Sequence, residues 1–574
     1  MVRITANLYE EAYDYIRQDS AHGNCVMLVA ADVDSLCAAL MLQNLLKKDM
    51  IAHKLVPVSG YRDLERAKEQ IIEKDEDLVS IIMINCGGLI DVKEFFDIES
   101  YTKIYVFDSH RPLKLENIHH NNINVCVFDD DRETEKLEKV LEAFESLTYN
   151  SEDNSENMDS DSSDELLENT RSKRRRLDED QDLSRSARIK KRAQSNLLMN
   201  YYTQGAYHAN STAGIVYDLA TKLSKTDNDM LWLAIIGVTS QYLHEKIDTT
   251  EYIRSVRVFR DDTARLNLST DEEMAVINNE GEIRIEDEYR FMFFRHWSLY
   301  ESMYYSSYVV SKLGLWNPEG DKNLNRLLAQ MGFRLEQCKQ IYTHMDVDLK
   351  DRLRTKIEEI SPRFGLTELC YPSFTRGYDR KCVLSAADIV YAISALLETS
   401  PTTAVHFGAE GTWTENRDWR DMLANDAADD ATNEKRRWWV KNFYKAYDAL
   451  GKQSSEMVLH GIRICMETQQ AIARQVFAAI SKRLIKKHNN CWIMVVDGGP
   501  DLPVFGHQLT LFRMGLFALD ILRTTSARLK PLIVTSLDEV HNVYIFTSMV
   551  AAPAFGETRR NISEIGREGT ICNR

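Results

Sequence analysis

No run of eighteen apolar residues occurs in the 574-residue chain, which excludes a membrane-spanning helix of ordinary length. The opening stretch, MVRITANLYEEAYDYI, carries acids where a secretory leader needs an apolar core, so export by the usual route is not expected. The ten cysteines, at 25, 37, 86, 126, 338, 370, 382, 465, 491 and 572, form no C-x-x-C pair; that removes the common zinc and redox spacings and predicts buried thiols in reducing surroundings. A phosphate-cradling G-x-x-x-x-G-K-[ST] run is also missing, so neither a nucleotide motor nor any cofactor is expected of this chain. Basic residues are outnumbered, 71 Lys and Arg against 88 Asp and Glu, and the net charge of −17 confines any nucleic-acid contact to a local patch.

What is present points to more than one folded unit, since 574 residues with 44% hydrophobic content can bury more than one core. Over the first 130 residues, apolar runs at Cys25 to Ala31, Ala52 to Val58, Leu78 to Asn85, Lys103 to Asp108 and Asn124 to Phe128 alternate with helical periods at Ser35 to Lys48 and Tyr61 to Ile72. That alternation predicts a parallel sheet covered by helices. From Ser151 to Thr170 eight acids occur without a base, followed by two basic clusters. These are Lys173, Arg174, Arg175 and Arg176, then Arg188, Lys190, Lys191 and Arg192, with the layout of a bipartite nuclear import signal; charge compensation for the acidic run is the plainer alternative.

The expected division is an α/β lobe over 1–148, an acidic then basic disordered insert over 149–194, helices completing the lobe over 195–246, an all-helical region over 247–380, and a smaller α/β lobe over 381–574. Within the last, a helix from Ser455 to Lys487 precedes the strand CWIMVVD, a helix over Gln508 to Arg523 and strands at Pro531 to Leu537 and Val543 to Met549, and the tail is expected to be irregular. Lys482, Arg483, Lys486 and Lys487, with Arg523, Arg528 and Lys530, could track a phosphate backbone; a solvated helix end is the commoner reading.

Acids recur where the first-lobe strands end, which is where parallel α/β sheets place ligands. VAADVDSLCA brings Asp32 and Asp34, IIMINCGG brings Asn85, and YVFDSHRP brings Asp108, Ser109 and His110. Their order resembles the D-x-D, V-D-N-G and D-H-H motifs of the DHH phosphoesterases, among them the bacterial single-strand exonuclease RecJ. The resemblance implies carboxylates for two divalent cations about 3.5–4 Å apart. Asn85 and Ser109 stand where that pattern has an acid and a histidine, and in LWLAIIGVTSQY the positions after Gly237 run to Gln241 without an acid. Asp32, Asp34, Asn85, Asp108, His110 and Gln241 are therefore read as a vestigial polar cluster holding no metal pair, satisfied by hydrogen bonds.

Longer stretches narrow the resemblance. ADVDSLCAA, VFDSHRP, the acidic insert with its following bases, NDMLWLAIIGVTSQYLHEKI, RHWSLYESMYYSSYVVSKLGLW, LLAQMGFRLEQCKQIYTHMDVDLKDRLR and LSAADIVYAISALLE together resemble the cell division control protein 45 family. The resemblance implies a DHH-type lobe, a helical middle and a C-terminal lobe like the DHH-associated domain. It also implies a nuclear, non-catalytic subunit that joins the MCM ring and the GINS complex, acts with replication-initiation factors, touches single-stranded DNA at most weakly and needs no membrane. The alternative that the residues leave open is a manganese-dependent exonuclease or phosphoesterase using Asp32, Asp34, Asp108 and His110.

Overall fold

The computed structural model describes residues 2–21, 23–97, 102–120, 122–130, 134–152, 189–203, 206–268, 281–379, 382–400, 403, 438–451, 455–488, 491–526, 530–538, 542–550 and 572–573. Its N-terminal lobe is built on a six-stranded, wholly parallel sheet. The strands lie in the order Arg3–Ile4, Val125–Phe128, Lys103–Phe107, Leu78–Ile84, Asn24–Ala30, His53–Val58. Five of them coincide with the runs read from the sequence; Arg3–Ile4 is added at the edge, too short to show a period.

Alternation along each strand feeds two cores. Cys25, Met27 and Val29 enter one face, while Val26 and Leu28 enter the other with Ile81, Met83 and Val106. The first face is covered by the helices Val33–Lys48, Thr212–Lys222 and Asn228–Leu243. Asn228–Leu243 is buried from Met230 to Tyr242 on every side, as a helix that is apolar all round must be.

The expected helical middle is present in five α-helices between Leu299 and Ile360. It is flanked by an antiparallel sheet of Ile283–Tyr289, Cys370–Asp379 and Cys382–Ser385, so the 247–380 region is not all helix. The strand IRIEDEY buries only two of its residues, and CYPSFTRGYD contains a proline, so neither carries the apolar run of a core strand. The C-terminal lobe has a five-stranded sheet ordered Lys486–His488, Cys491–Val496, Leu532–Asp538, Val543–Met549, Cys572–Asn573. Only Cys491–Val496 and Leu532–Asp538 pair in parallel, joined by the helix Gln508–Thr525.

Three expectations need correction. The helix expected over Ser455 to Lys487 stops at Ser481: Arg483 turns left-handed at φ 54°, and Lys486–His488 becomes an edge strand whose lysines keep further strands away. The tail expected to be irregular contributes Cys572–Asn573 to the sheet. The cores do not part at residue 380, because Ile389, Val390 and Ile393 belong to the first core. They part inside Ser455–Ser481, which gives Val458, Ile462 and Cys465 to the first core and Ala471, Ile472 and Val476 to the second. The stretch from Glu410 to Glu434, whose polar residues predict a loop between helices, lies outside the described residues.

That long helix crosses Ala386–Glu398 at Gly461, where an added methyl would sit 2.6 Å from the Ala392 carbonyl oxygen. Backbone cannot yield as a side-chain tip can, so Gly461→Ala is expected to destabilise the protein by about 1–3 kcal/mol through overpacking. A lowered urea midpoint with unchanged slope checks this.

Candidate functional site

From Asn24–Ala30 the chain crosses to His53–Val58 on one side and then to Leu78–Ile84 on the other. Such a reversal opens a crevice at the carboxyl ends of the two neighbouring strands. Asp32 and Asp34 follow the first strand, Asn85 follows the second, and Asp108, Ser109 and His110 follow the next strand, Lys103–Phe107. The topology thus delivers all three motifs to one place.

Asn85 sits at the centre. Its φ of 54° is left-handed, a region asparagine tolerates better than most residues. The side-chain Oδ1 accepts from the Ser109 N–H at 3.0 Å, the Ser109 hydroxyl at 2.9 Å and the Thr212 hydroxyl at 2.6 Å. The Nδ2 group faces Asp32 Oδ2 and Asp34 Oδ2, both at 3.4 Å. A neutral amide therefore bridges the two acids on one side and two hydroxyls on the other.

Asp34, 3% exposed, uses both oxygens on the start of a distant helix: Oδ2 accepts from Thr212 N–H at 2.8 Å and Oδ1 from Ala213 N–H at 2.9 Å. These are orphan donors of the first turn of Thr212–Lys222, so the carboxylate caps that helix from outside. Burial, and then the charge of Asp32, push the Asp34 carboxyl up to about 6, against the pull of the two N–H bonds and Lys246. Asp32 is itself the N-cap of Val33–Lys48, accepting from the Ser35 N–H and hydroxyl, each at 2.8 Å.

Asp108 is 2% exposed. Its Oδ2 accepts from Gly88 N–H at 2.7 Å, and Oδ1 lies 2.9 Å from the His110 N–H and 2.7 Å from His110 Nδ1. Burial opposes its charge, yet His110 and these bonds hold it below the usual carboxylate range. Gly88 and Gly237 give the site its closeness. A methyl on Gly88 would lie 2.9 Å from Asp108 Oδ2, and one on Gly237 would lie 2.7 Å from Asp34 Oδ1. Gln241 follows Gly237 by one helical turn, 2% exposed, and neither atom of its amide has a hydrogen-bond partner. Its neighbour His244 is kept neutral, down at about 4, by burial and then by Lys246.

The DHH pattern implies a cation pair, and the fit of these residues to one is poor. Both oxygens of Asp34 and of Asp108 already face N–H donors, and Asn85 points an N–H₂ group at the oxygens a cation would need. Among the described residues, the three aspartates and His110 do not bring three ligand atoms within 4.8 Å of one another. The donor set suits a hydrogen-bonded junction.

Other sequence candidates lie elsewhere. Lys482, Arg483, Lys486 and Lys487 are all exposed at one edge of the C-terminal sheet. Arg523 does not join them, because it is part-buried in an ion pair with Glu245 at 2.7 Å and with Asp520; Arg528 lies outside the described residues. Lys173, Arg174, Arg175, Arg176 and Arg188 are likewise outside the described residues, while Lys190, Lys191 and Arg192 are exposed at the start of a helix over 189–203.

Sequence reasoning missed the partnership of Asp34 with Thr212 and Ala213, which are 178 and 179 residues away. It also missed the junction between the lobes, where the part-buried pair Arg523–Glu245 and the buried pair Arg513–Glu398 lie beside a cavity of about 110 Å³ lined in part by Glu245 and Arg513.

Comparison with known proteins supplies the relatives. The family model CDC45 matches residues 25–171 and 164–563. The cell division control protein 45 homolog of Schizosaccharomyces pombe is 37% identical over 573 residues, covering 94% of this chain and 88% of that protein. Cell division control protein 45 of Saccharomyces cerevisiae is 29% identical over 589 residues, covering 94% and 89%. The crystal structure of CDC45 from Entamoeba histolytica matches with a TM-score of 0.67 at 21% identity, covering 98% of this chain and 90% of that one, a likeness of fold.

Removing the Asp34 carboxylate leaves two buried N–H groups without acceptors. Asp34→Ala is therefore expected to cost about 2–6 kcal/mol in urea unfolding, at about 1–3 kcal/mol per orphaned group. Because the Asp34 carboxyl is raised to about 6, the folded state keeps a proton that the unfolded chain releases. Its contribution to stability is full below about pH 4 and is lost as pH rises through 6, by about 3 kcal/mol. Asp34→Asn cannot ionise and should lack this fall; an unchanged pH slope in urea midpoints would contradict the assignment.

Proposed function

The chain belongs to the CDC45 family, and we propose that it is a non-catalytic DNA replication factor, a subunit that holds the MCM ring and the GINS complex together in the replicative helicase. In this reading it works in the nucleus with other initiation factors, at origin firing and during fork progression. The observation that supports a non-catalytic role is the Asn85 amide, which lies between Asp32 and Asp34 where two-metal chemistry requires negative charge.

A rigid platform is what such a subunit needs. Ser455–Ser481 runs through both cores, and Arg523 on Gln508–Thr525 reaches Glu245 beside the first-lobe helices, so the lobes are joined by apolar packing and by buried charge. The exposed Lys482, Arg483, Lys486 and Lys487 supply a weak, salt-sensitive contact to single-stranded DNA. Lys190, Lys191 and Arg192 are exposed as an import signal must be.

Three measurements test the proposal. Purified protein with Mn²⁺ should leave single-stranded DNA intact and match Asp34→Ala; cleavage abolished by that substitution would favour the exonuclease reading. Tagged protein in extract from replicating nuclei should retain the MCM ring and GINS in stoichiometric amounts, and failure to retain either, with the protein still folded, would sink the assembly role. Replacing the four basic edge residues by alanine should flatten the salt dependence of DNA binding, by about 0.7 in logarithmic slope for each phosphate no longer neutralised.

A further inference from the structure

Away from the crevice, His119, His120 and Glu145 bring three ligand atoms within 4.8 Å of one another. Glu145 Oε1 lies 3.7 Å from His119 Nε2 and 3.0 Å from His120 Nδ1. A tetrahedral ion with bonds of about 2.0–2.1 Å places its ligand atoms about 3.3 Å apart, between those two separations. The carboxylate is thus close to both imidazoles, and an ion shared by the three is reached when the exposed His120 ring turns out of its stack on His119 to aim its in-plane lone pair.

The surroundings hold the turn and the His119 ring. His119 ends the short helix Leu115–Ile118 in a turn closed by Asn122 N–H to the His119 carbonyl at 2.9 Å, with Asn122 Nδ2 donating to the Glu116 carbonyl at 3.3 Å. The two imidazoles stack at 4.4 Å with an interplanar angle of 24°, and Phe144 meets His119 edge-on at 5.8 Å. His119 is buried, Glu145 is partly exposed and His120 is exposed, so an ion has an entry path and one anchored ligand.

We propose that His119, His120 and Glu145 bind one divalent transition-metal ion of the zinc class, with water completing the tetrahedron. Two imidazoles and one carboxylate select such an ion over magnesium or calcium, which prefer oxygen alone. The bound ion ties the helix Thr134–Glu152 to the turn that precedes the sheet strand Val125–Phe128. Since that helix leads directly into the acidic insert, the ion fastens the root of the insert to the first lobe. The site is independent of the replication-factor reading.

Chelator-treated full-length protein titrated with Zn²⁺ should bind a single equivalent at this site, and Co²⁺ in its place should show tetrahedral d–d absorption. His120→Ala and Glu145→Gln, both at solvent-accessible positions, should weaken the affinity at least about tenfold while far-ultraviolet circular dichroism is unchanged. Binding should also weaken in acid, because imidazole ligates only when neutral. Asp34→Ala should bind Zn²⁺ as the native protein does. The proposal is overturned if the native protein takes up no Zn²⁺, if both site variants bind as tightly as the native chain, or if Asp34→Ala alone abolishes binding.

Discussion

The carboxylate of Asp34 and the amide of Asn85 hold the first lobe in register. Asp34 leaves one helix and caps another that begins 178 residues later, beyond the insert, so a single side chain closes the lobe across its longest excursion. Asn85 then joins the strand-end loops, accepting from Ser109 and Thr212 while facing both aspartates with hydrogen donors. The negative charge that a two-metal centre would neutralise with cations is here met by N–H groups. In a buried setting such a network is stable only when its members are satisfied, and the central ones are.

The same economy of charge appears away from the crevice. Glu288 and Asp520 are both pushed up to about 7 by burial, yet each faces an arginine, Arg295 and Arg523 respectively. Of these arginines, Arg523 also reaches Glu245 in the first lobe, and a pair of this kind adds little net stability yet is costly to break on one side.

Much of the first lobe was legible because its strands are continuous apolar runs that end abruptly in Asp32, Asn85 and Asp108, and such runs leave little choice of element. The small sheet beside the helical middle was not, since IRIEDEY exposes most of its side chains and a proline interrupts its partner. The end of the long helix at Ser481 was hidden because Arg483, not a glycine, supplies the left-handed turn. At the candidate site the motif residues were visible in sequence, but their partners were not. Thr212 and Ala213 contribute backbone N–H groups, which no residue type announces, and Arg523 reads as a surface charge until packing buries it against Glu245. Glu145 is likewise separated from His119 and His120 by a strand, so their juxtaposition is a product of topology.

Hydrogen bonds from Asn85, Thr212 and Ala213 take up the aspartate oxygens that a cation pair would need. Anomalous scattering from crystals soaked in manganese tests it most directly. Asn85 Nδ2 should still face Asp32 and Asp34, with no pair of ions between the strand ends. Two well-occupied manganese peaks bridged by Asp34 and Asp108 would contradict it.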